Sequence, residues 1–101
     1  MNGSEVQSWI NRFLGDLPLT FEEKERTGKI ARLIGRKYIS SLKSPESRID
    51  QEVALSAIYL ASRWAGVGLS FQRLVVLAGE NKRGLISTYS DLKERLGEIK
   101  V

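Results

Sequence analysis

The stretch that decides the fold is VALSAIYLASRWA, residues 53–65. Wound as an α-helix, it has scarcely any polar side, and a helix that is apolar all round is usually the one that other helices surround. Its alanines allow neighbouring helices to approach closely. We therefore expect a central third helix from about Ser47 or Asp50 to Ala65, ended by the stretch Gly66-Val-Gly68, in an all-α fold of five helices.

Two amphipathic helices are predicted before this segment. The first has apolar residues at spacings of three and four, which places them on one face: Val6, Trp9, Ile10, Phe13 and Leu14. The second begins at Thr20, because its hydroxyl and the side chain of Glu23 have the spacing of a capping box. Pro45, preceded by Ser44, predicts the loop that follows this helix.

Two further helices are predicted after the central one. A short helix runs from Ser70, as its N-cap, to about Ala78, and Gly79 fits the left-handed backbone position that often closes a helix. Asn81 is predicted to cap the fifth helix. The apolar residues of that helix fall at spacings of four, three and four: Leu85, Tyr89, Leu92 and Leu96.

Composition narrows the classes of function. A chain of 101 residues with 42% hydrophobic and 28% charged residues has the size and balance of one globular domain. It contains no cysteine and no histidine, so disulfides, thiolate nucleophiles, cysteine and histidine zinc ligands and imidazole bases are excluded. No base and nucleophile pair is visible, and we expect a non-enzymatic protein with no cofactor, metal or small-molecule substrate.

No apolar run approaches the roughly 20 residues that span a bilayer, so we expect a soluble intracellular protein without a membrane partner.

Positive charge is concentrated in residues 24–48. Of the formal net charge of +4, this stretch contributes +6 (eight cations against two acids) and the rest of the chain contributes −2. Such a field attracts phosphates or an acidic protein surface and weakens with salt. An ordinary solvated helix face accounts for the charge equally well.

The fourth and fifth predicted helices, joined by a short turn containing Gly79, have the pattern of a helix-turn-helix. In that geometry the N-terminal part of the second helix enters the major groove. The residues predicted to face outward there are Lys82, Arg83, Ile86, Ser87 and Ser90. Lysine, arginine and serine suit phosphates and base edges, whereas Ile86 suits a thymine methyl group or a protein partner. Gly84 either admits a close approach by a partner or relieves packing within the molecule.

Nearly the whole chain resembles a cyclin-like repeat of transcription factor IIB and its archaeal counterpart, transcription factor B. The resemblance is carried by residues 53–62, and the combination of the residues around Ala57 to Ala61 with Ala78-Gly79 and Tyr89 is fairly specific. It is also carried by Ile10-Asn-Arg-Phe-Leu14, Leu17-Pro18-Leu19, Ser44-Pro45-Glu46, Leu69-Ser70, Asn81-Lys82-Arg83, Ser87-Thr88-Tyr89 and Leu92.

This resemblance implies a five-helix cyclin-like bundle with the third helix at its centre. In the family, two such repeats clamp TATA-binding protein on promoter DNA, and the fifth helix of one repeat reads bases beside the TATA element. The positions that match the DNA-facing residues are Asn81, Lys82, Arg83, Ser87 and Thr88. The sequence departs from the family in having one repeat and no cysteine-rich zinc ribbon, so we expect it to perform only part of an initiation factor's task.

Two hypotheses follow from these patterns. In the first, the chain is a transcription-related domain that binds double-stranded DNA through the fifth helix. Phosphates would then be contacted by basic residues of the second helix: Lys29, Arg32, Arg36 and Lys37. In the second, it is an adaptor that modulates the transcription machinery through TATA-binding protein or RNA polymerase without binding DNA. The expected location is cytoplasmic and nucleoid-associated for an archaeal or viral protein, and nuclear for a eukaryotic one.

Overall fold

The structure, a computed structural model, describes residues 3–44, 48–79 and 82–96. These residues form five α-helices and no strand, which confirms the predicted all-α class. Within these ranges no helix is both long enough and apolar enough to cross a membrane. The helices are α1 (Gly3–Asp16), α2 (Phe21–Ser41), α3 (Asp50–Trp64), α4 (Phe71–Ala78) and α5 (Lys82–Leu96).

Helix α3 lies at the centre and packs against each of the other four helices. Its side chains from Val53 to Ile58 are fully buried, as is Ala61. Small residues alternate with large ones along this segment, so neighbouring helices can approach the α3 backbone while Leu55 and Ile58 fill the space between them. The apolar sequence from which we predicted a central helix is therefore the middle of the core.

Helices α1 and α2 pack closely because two glycines of α2 face α1. A Cβ on Gly35 would lie 3.2 Å from Val6 Cγ1, and one on Gly28 would lie 3.0 Å from Leu14 Cδ1. The amide of Gln7 also donates a hydrogen bond to the Arg32 carbonyl, at 3.1 Å. The predicted apolar face of α1 is buried here, except that Trp9 remains partly exposed.

The N-terminus of α2 has the predicted capping box. The Thr20 hydroxyl accepts a hydrogen bond from the Glu23 backbone N–H at 3.1 Å, and the Glu23 carboxylate accepts one from the Thr20 N–H at 2.9 Å. Helix α2 ends where Leu42 turns to an extended conformation. Pro45, predicted to lie in the following loop, is outside the described residues.

Helix α4 is capped at both ends by the predicted residues. The Ser70 hydroxyl accepts a hydrogen bond from the Arg73 N–H, and Gly79 follows the last turn with φ of 64° and ψ of −123°. The φ is positive, as predicted, but the ψ differs from that of a left-handed helical residue. Of the apolar residues that α4 turns toward the bundle, only Leu74 is fully covered. The others are half-buried, because α4 lies at the edge of the bundle: Phe71, Val75, Leu77 and Ala78.

An aromatic cluster joins α3, α4 and α5. The ring of Tyr59 lies 5.1 Å from the rings of both Phe71 and Tyr89, in edge-to-face arrangements. Such pairs stabilise beyond the area they bury, by about 0.5–1.5 kcal/mol each. The cluster fixes α4 against α5 and accounts for Tyr59 and Tyr89 as packing residues.

Candidate nucleic-acid interface

Helix α5 has one buried and one exposed face. Its inner face consists of Leu85, Thr88, Leu92 and Leu96, which are buried against the rest of the bundle. The five residues predicted to face outward are all exposed: Lys82, Arg83, Ile86, Ser87 and Ser90. The structure thus brings Lys82, Arg83 and Ser87 together on the first two turns of one helix.

Thr88 does not belong to this exposed face, and its predicted position at a DNA surface is wrong. Its side chain is 0% exposed. The hydroxyl donates a hydrogen bond to Glu52 Oε1 at 3.3 Å and accepts one from Arg48 Nη1 at 3.4 Å. The cause is helical periodicity: Thr88 is three residues after Leu85 and four before Leu92, so it falls on the same inner stripe.

Gly84 faces Glu52 of α3. A Cβ at residue 84 would lie 2.6 Å from Glu52 Cδ, well inside van der Waals contact. Of the two interpretations of Gly84, close packing within the molecule is the one observed. The Glu52 carboxylate is only 6% exposed and lies beside the first turn of α5, where the helix dipole favours negative charge. Asn81, predicted to cap this helix and to contact DNA, is outside the described residues.

Asp91 anchors the middle of α5 to α2. Its carboxylate accepts a hydrogen bond from the Tyr38 hydroxyl at 2.6 Å and lies 3.0 Å from Arg95 Nε and 3.5 Å from Arg48 Nη2. Burial acts to raise the pKa of Asp91, but these hydrogen bonds and cations outweigh it, so the pKa lies below its ordinary value. Burial and the bond to Asp91 raise the pKa of the Tyr38 phenol. Sequence reasoning did not assign Asp91 this role, because two of its partners, Tyr38 and Arg48, are more than forty residues away in the chain.

The four basic residues predicted on α2 divide into two groups. Lys29, Arg36 and Lys37 are exposed, and none of the three forms a hydrogen bond or ion pair with another described residue. Arg32 is partly buried instead, and its guanidinium donates a hydrogen bond to Asn11 Oδ1 at 3.0 Å. Three of the four are therefore available to an external ligand, and Arg32 is partly engaged by α1.

The exposed α2 cations are not near the first turn of α5. Arg36 and Lys37 line the same surface groove as Arg95, in the last turn of α5. Arg95 is thirteen residues from Lys82, which is roughly 20 Å along a helix. Lys29 lies apart from that groove, in a hollow that it shares with Glu22, Glu25 and Arg26. The predicted site residues therefore form separate surfaces rather than one.

Within the described part of the chain, no three acidic, cysteine or histidine side chains lie close enough to hold a metal ion. Comparison of the chain with protein-family models, with curated proteins and with solved structures finds no match.

Proposed function

We propose that this protein binds double-stranded DNA through the first two turns of α5, as a transcription-related domain with a cyclin-like bundle. Helices α4 and α5 would act as its helix-turn-helix, with Lys82 and Arg83 at phosphates or guanine edges and Ser87 at bases or backbone. The observation that carries this proposal is the pair of exposed cations at the start of a helix that is otherwise well anchored.

Their position has an electrostatic cost within the molecule. The N-terminus of a helix carries partial positive charge, so cations there are unfavourable by about 0.3–1 kcal/mol each. The first turn of α5 contains no acidic residue, and neither Lys82 nor Arg83 pairs with another described side chain. The Glu52 carboxylate already faces the helix dipole from inside the bundle, and a phosphate would satisfy the two exposed cations.

The rest of α5 holds this tip in a fixed position. Leu85 and Leu92 are fully buried, and Asp91 is bonded to α2. Because the helix is already ordered, binding DNA does not require the backbone of α5 to reorganise.

The geometry of α4 supports the helix-turn-helix proposal. An eight-residue helix ends at Ala78, Gly79 follows it with a positive φ, and a fifteen-residue helix begins at Lys82. Those lengths match a short first helix and a longer recognition helix. By the resemblance noted above, TATA-binding protein on promoter DNA and RNA polymerase are the proposed partners of the assembly.

The test is a fluorescence anisotropy titration of the protein into a labelled duplex over a series of salt concentrations. For a protein that releases counterions from phosphates, the logarithm of affinity falls linearly with the logarithm of salt, by about 0.9 per phosphate contact. The double variant Lys82→Ala/Arg83→Ala should bind at least tenfold more weakly, with a slope shallower by about two contacts. A gel shift with TATA-binding protein on promoter DNA tests the proposed assembly.

The matched control is Arg36→Ala/Lys37→Ala, which removes the same charge from the far end of the molecule. It should retain duplex affinity to within about threefold, because these residues do not reach the same DNA surface. If both double variants lost duplex affinity equally, the loss would be explained by net charge alone and not by the position of Lys82 and Arg83. No measurable duplex affinity at low salt would refute the proposal.

A further inference from the structure

A shallow groove of about 470 Å³ lies between the second half of α2 and the last turn of α5. It is remote from the proposed DNA surface, and the proposed function makes no use of it. Apolar, basic and hydroxyl side chains surround it. Its lining consists of Leu33, Arg36, Lys37, Ser40, Ser41, Arg95 and Leu96.

The charge around this groove is strongly positive. Residues 26–41 of α2 contain five cations and no acidic residue. Arg36 and Lys37 are exposed and have no ion-pair partner among the described residues. The nearby Asp91 carboxylate is already engaged by Tyr38, Arg48 and Arg95, so it does not neutralise them. Glu94 is the one acidic residue in the last turn of α5, and Lys93 offsets its charge.

The floor of the groove is apolar. Leu33 is half-buried and presents hydrocarbon at the base of a basic rim, whereas Leu96 is 4% exposed and closes the groove on the side of the core. A duplex offers such a surface only phosphates and would leave the exposed part of Leu33 without an apolar partner. A helix with apolar residues on one face and carboxylates on its flanks fits both parts, because its apolar side chains cover Leu33 while its acids meet Arg36 and Lys37.

We infer that this groove binds an acidic amphipathic helix from a partner protein. Arg36 and Lys37 pair with its carboxylates, while the exposed part of Leu33 accepts its apolar side chains. The groove and the Lys82 tip lie at opposite ends of α5, roughly 20 Å apart. The two ligands therefore bind independently, and the DNA-binding and adaptor hypotheses describe different surfaces of one molecule.

The test uses a fluorescein-labelled synthetic peptide of about 18 residues, with leucine at positions i, i+3, i+4 and i+7 and with aspartate and glutamate elsewhere. Anisotropy at physiological salt should show saturable binding to the whole protein. Arg36→Glu/Lys37→Glu should weaken it at least tenfold, and Leu33→Ser at least threefold. Lys82→Ala/Arg83→Ala should leave the peptide affinity within twofold, whatever its effect on duplex binding. Circular dichroism verifies that each variant remains folded.

Two control ligands decide between possible occupants. A peptide of equal charge with serine in place of leucine should bind at least tenfold more weakly, because it cannot use the apolar floor. An unlabelled duplex should not displace the labelled peptide from the groove. Equal affinity for the serine peptide would overturn the inference in favour of a non-specific anion surface. Displacement of the labelled peptide by duplex would assign the groove to nucleic acid. Absence of peptide binding at millimolar concentration would refute the inference.

Discussion

The Glu52 carboxylate of α3 packs directly against the backbone of Gly84 in the first turn of α5. A buried acid in the central helix therefore meets a residue without a side chain at the point where α5 begins. This contact sets the position of the first turn of α5 along α3. The exposed Lys82 and Arg83 directly precede Gly84 in that turn. The position of the proposed DNA-binding tip thus depends on an interaction inside the molecule.

Gly84→Ala should destabilise the protein by about 1–3 kcal/mol, the usual cost of forcing an extra carbon into a packed site. Alanine favours a helix by about 1 kcal/mol over glycine, so the overlap with Glu52 must outweigh that gain. The free energy of unfolding, measured with urea, provides the test. Gly15→Ala is the control: nothing lies within 4 Å of its Cβ position, and it should be neutral or mildly stabilising.

A double-mutant cycle locates the cause. In a Glu52→Ala background, Gly84→Ala should cost at least 1 kcal/mol less, because the overlapping carboxylate is gone. An unchanged cost would show that the Glu52 contact is not what requires glycine at this position.

Thr88→Val should destabilise the protein by about 1–3 kcal/mol, because it replaces a buried hydroxyl that bridges Arg48 and Glu52 by a methyl group of similar size. Thr88→Ser keeps the hydroxyl and should cost less. The exposed neighbour Ser87→Ala should change stability by no more than about 0.5 kcal/mol. If Thr88→Val proved neutral in urea unfolding but altered base preference in duplex binding, the inward orientation of Thr88 would be contradicted.

Acid should remove the stabilisation that Asp91 provides. Because its folded pKa is below its ordinary value, the contribution is fully present above pH of about 4 and is lost as pH falls through the folded pKa. The difference in unfolding free energy between wild type and Asp91→Asn should therefore be largest near pH 6 and should shrink below pH of about 3. A difference that stayed constant across this range would rule out the charge of Asp91 as its origin.

Ionisation of Asp50 should change the stability of the protein with pH in the direction opposite to that of Asp91. Burial and the neighbouring Glu5 carboxyl raise the pKa of Asp50 to about 6, so the folded state binds its proton more tightly than the unfolded chain does. The free energy of unfolding should fall as pH rises from about 4 to about 6 and level off above. Asp50→Asn should abolish this decline, and Glu5→Gln should reduce it. Urea titrations across this pH range measure both, and a decline that persists in Asp50→Asn would have to come from another group.

The helices and the core followed from local patterns in the sequence. The apolar run from Val53 to Ala61 predicts a central helix, and the Thr20 and Glu23 spacing predicts a capping box. Both depend on residues within a few positions of each other, so helical periodicity is enough to identify them. The exposed face of α5 was predictable for the same reason.

The polar interior was not predictable in this way. The partners of Thr88 are Arg48 and Glu52, and the partners of Asp91 include Tyr38, so these contacts join residues 36 to 53 positions apart. Thr88 was placed at the surface from a resemblance, although its spacing from Leu85 and Leu92 already indicated the inner face. The separation of Arg36 and Lys37 from Lys82 likewise depends on how α2 crosses α5, which no local pattern contains.

The fifteen residues of α5 also set the spacing between its two ends. Because an α-helix is rigid over this length, a partner bound at Arg36 and Lys37 would lie within a few nanometres of a duplex bound at Lys82 and Arg83. One ligand that is held this close to the other has an effective local concentration on the order of millimolar. If the partner also contacts the duplex, two individually weak attachments give a long-lived ternary assembly. Lengthening α5 by half a turn would then misalign the two sites by rotation before it separated them by distance.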